Sequence, residues 1–196
     1  MSNKTEITRA DIMDMNQYAA VRSQRRKAVT VMKKDRRVSV GPDATFYFEN
    51  YDTMWHQIHE MLHIEQGGEA QIVDELAAYN PMIPNGRELV ATLMFEIDEP
   101  VRRAKFLAAL GGVEHTVSLT IEGETITAMP EDDIERTNED GKASSIHFLH
   151  FPLSETHAEL FKKPGQKVML GITHETYSHM TILSEAVRSA LANDLA

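Results

Sequence analysis

The predicted fold depends most on the stretch ASSIHFLHFPLSETHAELFKKPGQKVMLGITH, residues 143–174. Residues 143–151 are rich in apolar side chains and predict a strand. Residues 154–162 predict a helix that ends before a Pro-Gly dipeptide, and residues 166–173 predict a second strand. The connection is long enough for a right-handed β-α-β crossover, so we expect the two strands to lie parallel in one sheet.

The rest of the chain alternates between helical and extended patterns. Residues 9–34 predict a long helix, interrupted once, and a capping box of Thr8 and Asp11 precedes it. Further strands are predicted at 37–40, 45–49, 88–97 and in a hairpin at 113–128, further helices at 53–66, 69–79, 99–110 and 182–194, and a loop at 130–142. We therefore expect one α+β domain over residues 1–196, with a mixed β-sheet, flanking helices and a basic helical segment, residues 1–36, packed on it or extending from it.

Composition excludes several kinds of chemistry. The 196 residues contain no cysteine, which excludes disulfides, thiolate zinc sites, iron–sulfur ligation and cysteine nucleophiles. A bound metal would need His and carboxylate ligands, a set that suits zinc, iron or manganese. No apolar run approaches the roughly 18 residues that a membrane-spanning helix needs, and the polar start MSNKTEITRAD does not resemble a secretory signal. We expect a cytoplasmic protein with no membrane segment.

Charge is distributed unevenly along the chain. Residues 1–40 carry ten Lys/Arg against four Asp/Glu, a net charge of +6, which leaves −16 for residues 41–196 out of a total of −10. Most of the positive charge lies in residues 22–37. This segment is interpreted as a site for an acidic partner, as a helix face exposed to solvent, or as a segment packed against the acidic remainder. Nucleic-acid binding is disfavoured because few aromatic residues are interleaved for base stacking and the rest of the chain would repel phosphate.

The run HEMLH, residues 59–63, matches the zinc-hydrolase pattern H-E-x-x-H. In that chemistry His59 and His63 would bind zinc from one helix face and Glu60 would be the general base. No spacing in the sequence identifies a third ligand. On a helical wheel these three residues lie opposite the apolar face, so the simpler interpretation is a solvent-exposed helix face.

A second candidate metal site combines His150, His174 and His179. If strands 143–151 and 166–173 are parallel, His150 and His174 lie near their carboxyl ends, where open sheets commonly bind ligands. Zinc or iron would be the metal at such a site. In the alternative interpretation each of these histidines is a hydrogen-bonded interior or rim residue.

Five longer stretches carry a resemblance to a known family: GPDATFYFEN (41–50), MWHQIHEMLHIEQGG (54–68), ELAAYNPMIPNGRELVATLMFEID (75–98), DGKASSIHFLHF (140–151) and LGITHETYSH (170–179). Together they resemble the bacterial domain-of-unknown-function family 3501 over nearly the whole chain. The resemblance implies a small bacterial cytosolic protein that is typically encoded near rubrerythrin and an iron–sulfur oxidoreductase, hence a role around peroxide, oxygen or iron. It supplies no established catalytic residues.

The resemblance also bears on the candidate sites. The family pattern is W-x-Q-x-Q-E-M-L-R where this chain has His59 and His63, so both histidines depart from it. Glu60, His147, His174 and His179 fit the family pattern.

Three functions therefore remain open. The first is a non-catalytic or accessory metal- or ligand-binding protein that works beside a redox, oxygen- or peroxide-response system, with a cytosolic redox protein as partner. The second is a zinc-dependent hydrolase built on residues 59–63. The third is a protein–protein interaction module with no bound metal.

Overall fold

The structure is a computed structural model and describes residues 4–131 and 142–196. Within these residues the helices are α1 (Met15–Lys33), α2 (Tyr51–Glu65), α3 (Gly68–Tyr79), α4 (Pro100–Ala108), α5 (Glu155–Lys162) and α6 (Glu185–Ala192). The strands are β1 (Arg37–Val40), β2 (Ala44–Phe48), β3 (Glu88–Phe95), β4 (Val117–Ile121), β5 (Glu124–Thr127), β6 (Met129–Pro130), β7 (Ile146–Pro152), β8 (Val168–His174) and β9 (Tyr177–Ile182). The α+β class and the long N-terminal helix are confirmed. Most of the predicted loop at 130–142, residues 132–141, lies outside the described residues.

Local capping sets the limits of the first two helices. The capping box of Thr8 and Asp11 forms, but it begins only a short 3-10 turn, and α1 starts afterwards with Asp14 as its cap. The side chain of Asn50 accepts a hydrogen bond from the Thr53 backbone N–H and so caps α2. Asn50 thus caps this helix one residue before it begins.

The strands form two sheets rather than the expected single mixed sheet. The five-stranded sheet has the order β1-β2-β3-β7-β6, and the four-stranded sheet has the order β5-β4-β8-β9. Every strand pair among the described residues is antiparallel. The predicted hairpin at 113–128 is present as β4 and β5, joined by a two-residue turn in which Glu122 and Gly123 both have positive φ.

The predicted β-α-β unit is wrong, because β7 and β8 belong to different sheets and α5 leads from one sheet to the other. Burial explains the difference. In β7 the residues His147, Leu149 and Phe151 are buried and alternate with half-buried neighbours, and β8 buries Val168 and Leu170 in the same way. A strand inside a parallel sheet is buried on both faces, whereas a strand with one buried face is typical of antiparallel sheets packed face to face.

Two hydrophobic clusters hold these layers together. The larger cluster lies between the two sheets and includes side chains from α4, α5 and α6. The smaller cluster lies on the other face of the five-stranded sheet, where α2 and α3 cover Val90 and Phe148. Helix α1 packs against α2 and is therefore the outermost layer on that side. The outward face of the four-stranded sheet carries no helix in the part of the chain that the structure describes.

Strand β9 was not predicted from the sequence. It pairs with β8 along its whole length, although three of its central residues are exposed. Its first residue, Tyr177, is buried; its hydroxyl donates a hydrogen bond to the Val40 carbonyl and accepts bonds from the backbone N–H groups of Asp43 and Ala44. This tyrosine joins the β1–β2 turn to the four-stranded sheet.

Candidate functional site

The HEMLH run lies on α2 and faces α1, so the predicted solvent-exposed face is wrong. The apolar side of α2, with Met54, Ile58 and Leu62, packs into the smaller core as the helical wheel indicates. The opposite side, however, is covered by α1. His59 is fully buried, and the Glu60 side chain is 17% exposed.

Both ring nitrogens of His59 are occupied by backbone groups. Its Nδ1 lies 2.7 Å from the Trp55 carbonyl oxygen and its Nε2 lies 3.0 Å from the Met13 backbone nitrogen. Nδ1 therefore donates and Nε2 accepts, which fixes the neutral tautomer. The ring stacks on Trp55 with 3.7 Å between centroids, and burial lowers the pKa of His59. A histidine whose two nitrogens are both bonded in this way has none left for zinc.

Glu60 is an anchor for α1. Its carboxylate accepts two hydrogen bonds from the Arg22 guanidinium, each 2.8 Å, and a third from the Tyr18 hydroxyl at 2.7 Å. The Arg22 contact, followed by the Tyr18 hydrogen bond, lowers the pKa of Glu60 to about 2. A carboxylate of this kind is a poor general base near neutral pH. His63 lies beside the same cluster, with its ring edge-on to Tyr18 at 6.0 Å.

Sequence reasoning missed Tyr18, which is buried at the centre of this interface. It contacts the rings of Trp55 and His59, and its oxygen also lies 3.2 Å from Nδ1 of His56. A signal existed, since Tyr18 and Arg22 are four residues apart and so share a helix face. What the sequence does not give is the identity of the facing helix.

His150 lies in a groove of the five-stranded sheet, between two carboxylates. Its Nδ1 is 3.0 Å from Glu88, and its Nε2 is 3.7 Å from Glu131, an ion-pair distance rather than a hydrogen bond. The Glu131 and Glu88 carboxylates raise the pKa of His150 to about 9, so the imidazolium is the resting form. The two carboxylates meet different ring nitrogens, and this geometry does not place all three groups around one ion.

His174 and His179 lie in the β8–β9 hairpin of the other sheet. The Nε2 of His174 is 3.2 Å from the Gly111 carbonyl oxygen, and its Nδ1 accepts from the Thr176 backbone N–H at 3.2 Å. The ring of His179 packs on Tyr177, with 4.5 Å between centroids. Each of the three proposed ligands thus has its own set of contacts, and the structure does not bring His150 together with the other two.

No group of three or more His, Asp or Glu side chains is arranged to hold a metal ion within residues 4–131 and 142–196. The fourth histidine of interest, His147, is fully buried, and its Nε2 lies 2.9 Å from the Ser144 carbonyl oxygen. Its Nδ1 lies 3.8 Å from the buried Glu114 carboxylate. His147 thus belongs to the interior packing between the sheets.

The basic segment divides into two sets of residues with different environments. Arg22 binds Glu60, Arg25 lies over the Trp55 ring at 4.9 Å, and buried Arg36 pairs with Asp194. These cations hold the fold together.

The second set is exposed. Arg26, Lys27 and Lys34 are exposed, and no carboxylate of the described residues forms an ion pair with them. Arg26 and Lys27 line a shallow exposed surface of α1, called here its outer face, which Arg22 borders and to which the following residues also belong: Ala19, Ser23, Thr30 and Val31. Val31 is 64% exposed although it is apolar. The outer face of α1 therefore combines positive charge with small and apolar side chains.

These features define an α+β protein with two antiparallel sheets, a helical layer and a basic outer helix. The chain belongs to the DUF3501 family, whose model is described as a protein of unknown function and matches residues 6–195. It is also similar to a solved structure, a novel protein of unknown function from Burkholderia pseudomallei K96243, with 36% sequence identity and a TM-score of 0.89. That similarity covers 97% of this chain and 99% of the other.

No functionally curated protein matches the chain significantly. Among the described residues, every helix is too short or too polar to cross a lipid bilayer.

Proposed function

We propose that this protein is a non-catalytic accessory protein that binds an acidic partner protein through the outer face of α1. The observation that carries the proposal is that some cations of α1 are bonded to α2 while others are exposed. Arg22 fixes α1 to α2 through the Glu60 carboxylate, while Arg26 and Lys27 on the surface beside it are exposed. A helix held in this way presents its cations at fixed positions.

Charge distribution supports an acidic partner. The protein carries a net charge of −10, so an acidic surface is repelled by most of the molecule. The outer face of α1 is the exception, and complementary charge there would both speed association and fix the orientation of the complex. The exposed Val31 and Ala19 add apolar contact area between the cations.

The identity of the partner follows from the family resemblance alone. The neighbourhood that the resemblance implies, with rubrerythrin and an iron–sulfur oxidoreductase, makes a cytosolic redox protein the first partner to test. In this proposal the protein acts on a redox, oxygen- or peroxide-response system by binding one of its members. The proposal gives the HEMLH run no catalytic role, because His59 and Glu60 are both occupied in holding α1.

The test uses purified proteins encoded beside this gene, titrated by calorimetry with wild-type protein and with an Arg26→Glu/Lys27→Glu double variant. The matched control is Lys163→Glu/Lys167→Glu, which makes the same charge change at two exposed lysines away from α1. We expect wild type and control to bind equally and the α1 variant to bind at least ~10-fold more weakly, with an affinity that falls as salt rises. Equal binding by both variants, or no binding to any acidic neighbour, would refute the proposal.

Metal binding can still be tested at one place, His150, where Glu88 or Glu131 would be the carboxylate ligand. Zinc or iron binds the neutral imidazole, so at this site it would compete with protonation of His150. Elemental analysis of protein purified without a chelating step, compared with a His150→Gln variant, tests this. A stoichiometric metal that the variant loses would support an accessory metal-binding protein.

A further inference from the structure

The outward face of the four-stranded sheet has an unusual composition. Ten residues share this face, as the register of the strand pairs shows. They are Ser118, Thr120, Thr125, Thr127, Met169, Gly171, Thr173, Ser178, Met180 and Ile182. None of the ten is charged, in a protein of which 26% of the residues are charged.

The apolar part of this face lies on β8 and β9. Met180 is 63% exposed and Ile182 is 58% exposed, while their register partners are Gly171 and the half-buried Met169. Met180 lies across Gly171, because a Cβ atom at that glycine would be 3.1 Å from its Cγ. Met180 and Ile182 thus form an exposed apolar strip next to the Ser and Thr side chains of the same face.

We propose that this face binds a second copy of the same chain, so that two four-stranded sheets pack against each other across a two-fold axis. The proposal is independent of the partner-binding role of α1. In a two-fold contact each residue near the axis meets its own counterpart, so a charged residue there would face a like charge. Two copies that each carry −10 repel each other overall, and an uncharged face adds no like-charge contacts to that repulsion.

The hydroxyl groups favour a second copy over a partner chosen by charge. A Ser or Thr hydroxyl is both a donor and an acceptor, so identical faces such as Ser118, Thr120 and Thr125 can form hydrogen bonds with each other. Carboxylates or ammonium groups could not do so. An acidic or basic partner, in contrast, would find no charge on this face to recognise.

The size of the face fits a reversible dimer. Four strands about 4.8 Å apart and roughly 17 Å long give about 300 Å² of projected area per copy. Two such faces and their side chains bury on the order of 1,000 Å² in total, the lower end of the range for specific contacts. Interfaces of this size are typical of transient complexes, so we expect reversible association rather than a permanent dimer.

The test is sedimentation velocity on the full chain over a concentration series from about 1 to 500 μM, a range that brackets a micromolar Kd. The variants are Met180→Glu and, at the centre of the face, Thr120→Glu. The matched control is Met129→Glu, at a methionine that is similarly exposed, 59%, but lies on β6 of the other sheet. Circular dichroism spectra and melting curves check that every variant is folded.

We expect wild type and Met129→Glu to dimerise alike, and each of the two other variants to weaken dimerisation at least ~10-fold. Wild type that stays monomeric over the whole range would overturn the proposal, as would a Met180→Glu variant that dimerises like wild type. Salt gives a second criterion. A contact without charges should hold or strengthen as salt screens the net repulsion, whereas dimerisation that weakens with salt would locate the contact at charged residues such as those of α1 and would overturn the proposal too.

Discussion

The two histidines of HEMLH should contribute very unequally to stability, and this inequality distinguishes an interior helix contact from a zinc site. Zinc coordinated by His59 and His63 would make the two residues equivalent ligands, and removing either would release the metal. The structure treats them differently, since His59 is fully buried with both nitrogens bonded and His63 is half-buried beside Tyr18.

The expected loss for His59→Ala can be worked out from three contacts. Removing the ring takes away its stacking on Trp55 and its contact with Tyr18, about 1–2 kcal/mol. It also removes the acceptor of the Met13 backbone N–H, which costs about 1–3 kcal/mol where water cannot fully replace it. The sum is about 3 kcal/mol of unfolding free energy. His63→Ala should cost less than about 1 kcal/mol, because its ring is half-buried.

Urea unfolding followed by circular dichroism measures both values, with and without a zinc chelator in the buffer. We expect a clear loss of unfolding free energy for His59→Ala, a small one for His63→Ala, and no effect of the chelator on wild type. Equal losses for the two variants, or a wild type that the chelator destabilises, would refute the reasoning and revive the hydrolase hypothesis.

Two further predictions concern buried and bridging charges. Arg36→Ala should lower the unfolding free energy by about 3–5 kcal/mol, because it leaves the buried Asp194 carboxylate without its partner. The control is Arg37→Ala, at the exposed neighbouring arginine, which should cost less than about 0.5 kcal/mol. Thermal and urea unfolding of the two variants test this, and similar losses would contradict it. The unfolding free energy should also fall as the pH rises through about 9, the raised pKa of His150, because the carboxylates stabilise the imidazolium. This contribution is fully present below about pH 6.5. Its upper limit is roughly 3 kcal/mol, and solvent access to the groove reduces it to about 1–2 kcal/mol. Urea titrations between pH 6 and 10 should show that drop in wild type and not in His150→Gln, and a drop that persists in the variant would assign it to another group.

Several elements could be predicted because their signals are local. The predicted capping box of Thr8 and Asp11 forms, because its bonds join groups three residues apart. Glu122 and Gly123 form a two-residue hairpin turn that fixes β4 and β5. The long basic helix likewise follows from residues that are close in sequence, so α1 was predicted, although it begins at Met15 and not at residue 9.

The contacts of the HEMLH residues and of His150 could not be predicted, because their partners are distant in sequence. Glu60 meets Arg22 across 38 residues, and His150 meets Glu88 across 62. The helical wheel correctly placed His59 opposite the core, but it could not indicate that α1 covers that face. A helix face without apolar residues is compatible with water or with a polar partner helix, and only the packing decides between them.

The sequence alone determined the α+β class, the absence of cysteine chemistry, the capping box of Thr8 and Asp11 and the uneven charge, since each of these depends on composition or on neighbours within a few residues. Only the tertiary structure decided that β7 and β8 belong to different sheets, that α1 covers the HEMLH face and that an uncharged sheet surface faces outward. An alternating apolar pattern predicts that a strand has one buried face, but it does not predict which sheet packs against that face. That choice is made by packing between segments far apart in the chain, because burial of the apolar faces depends on all of them together.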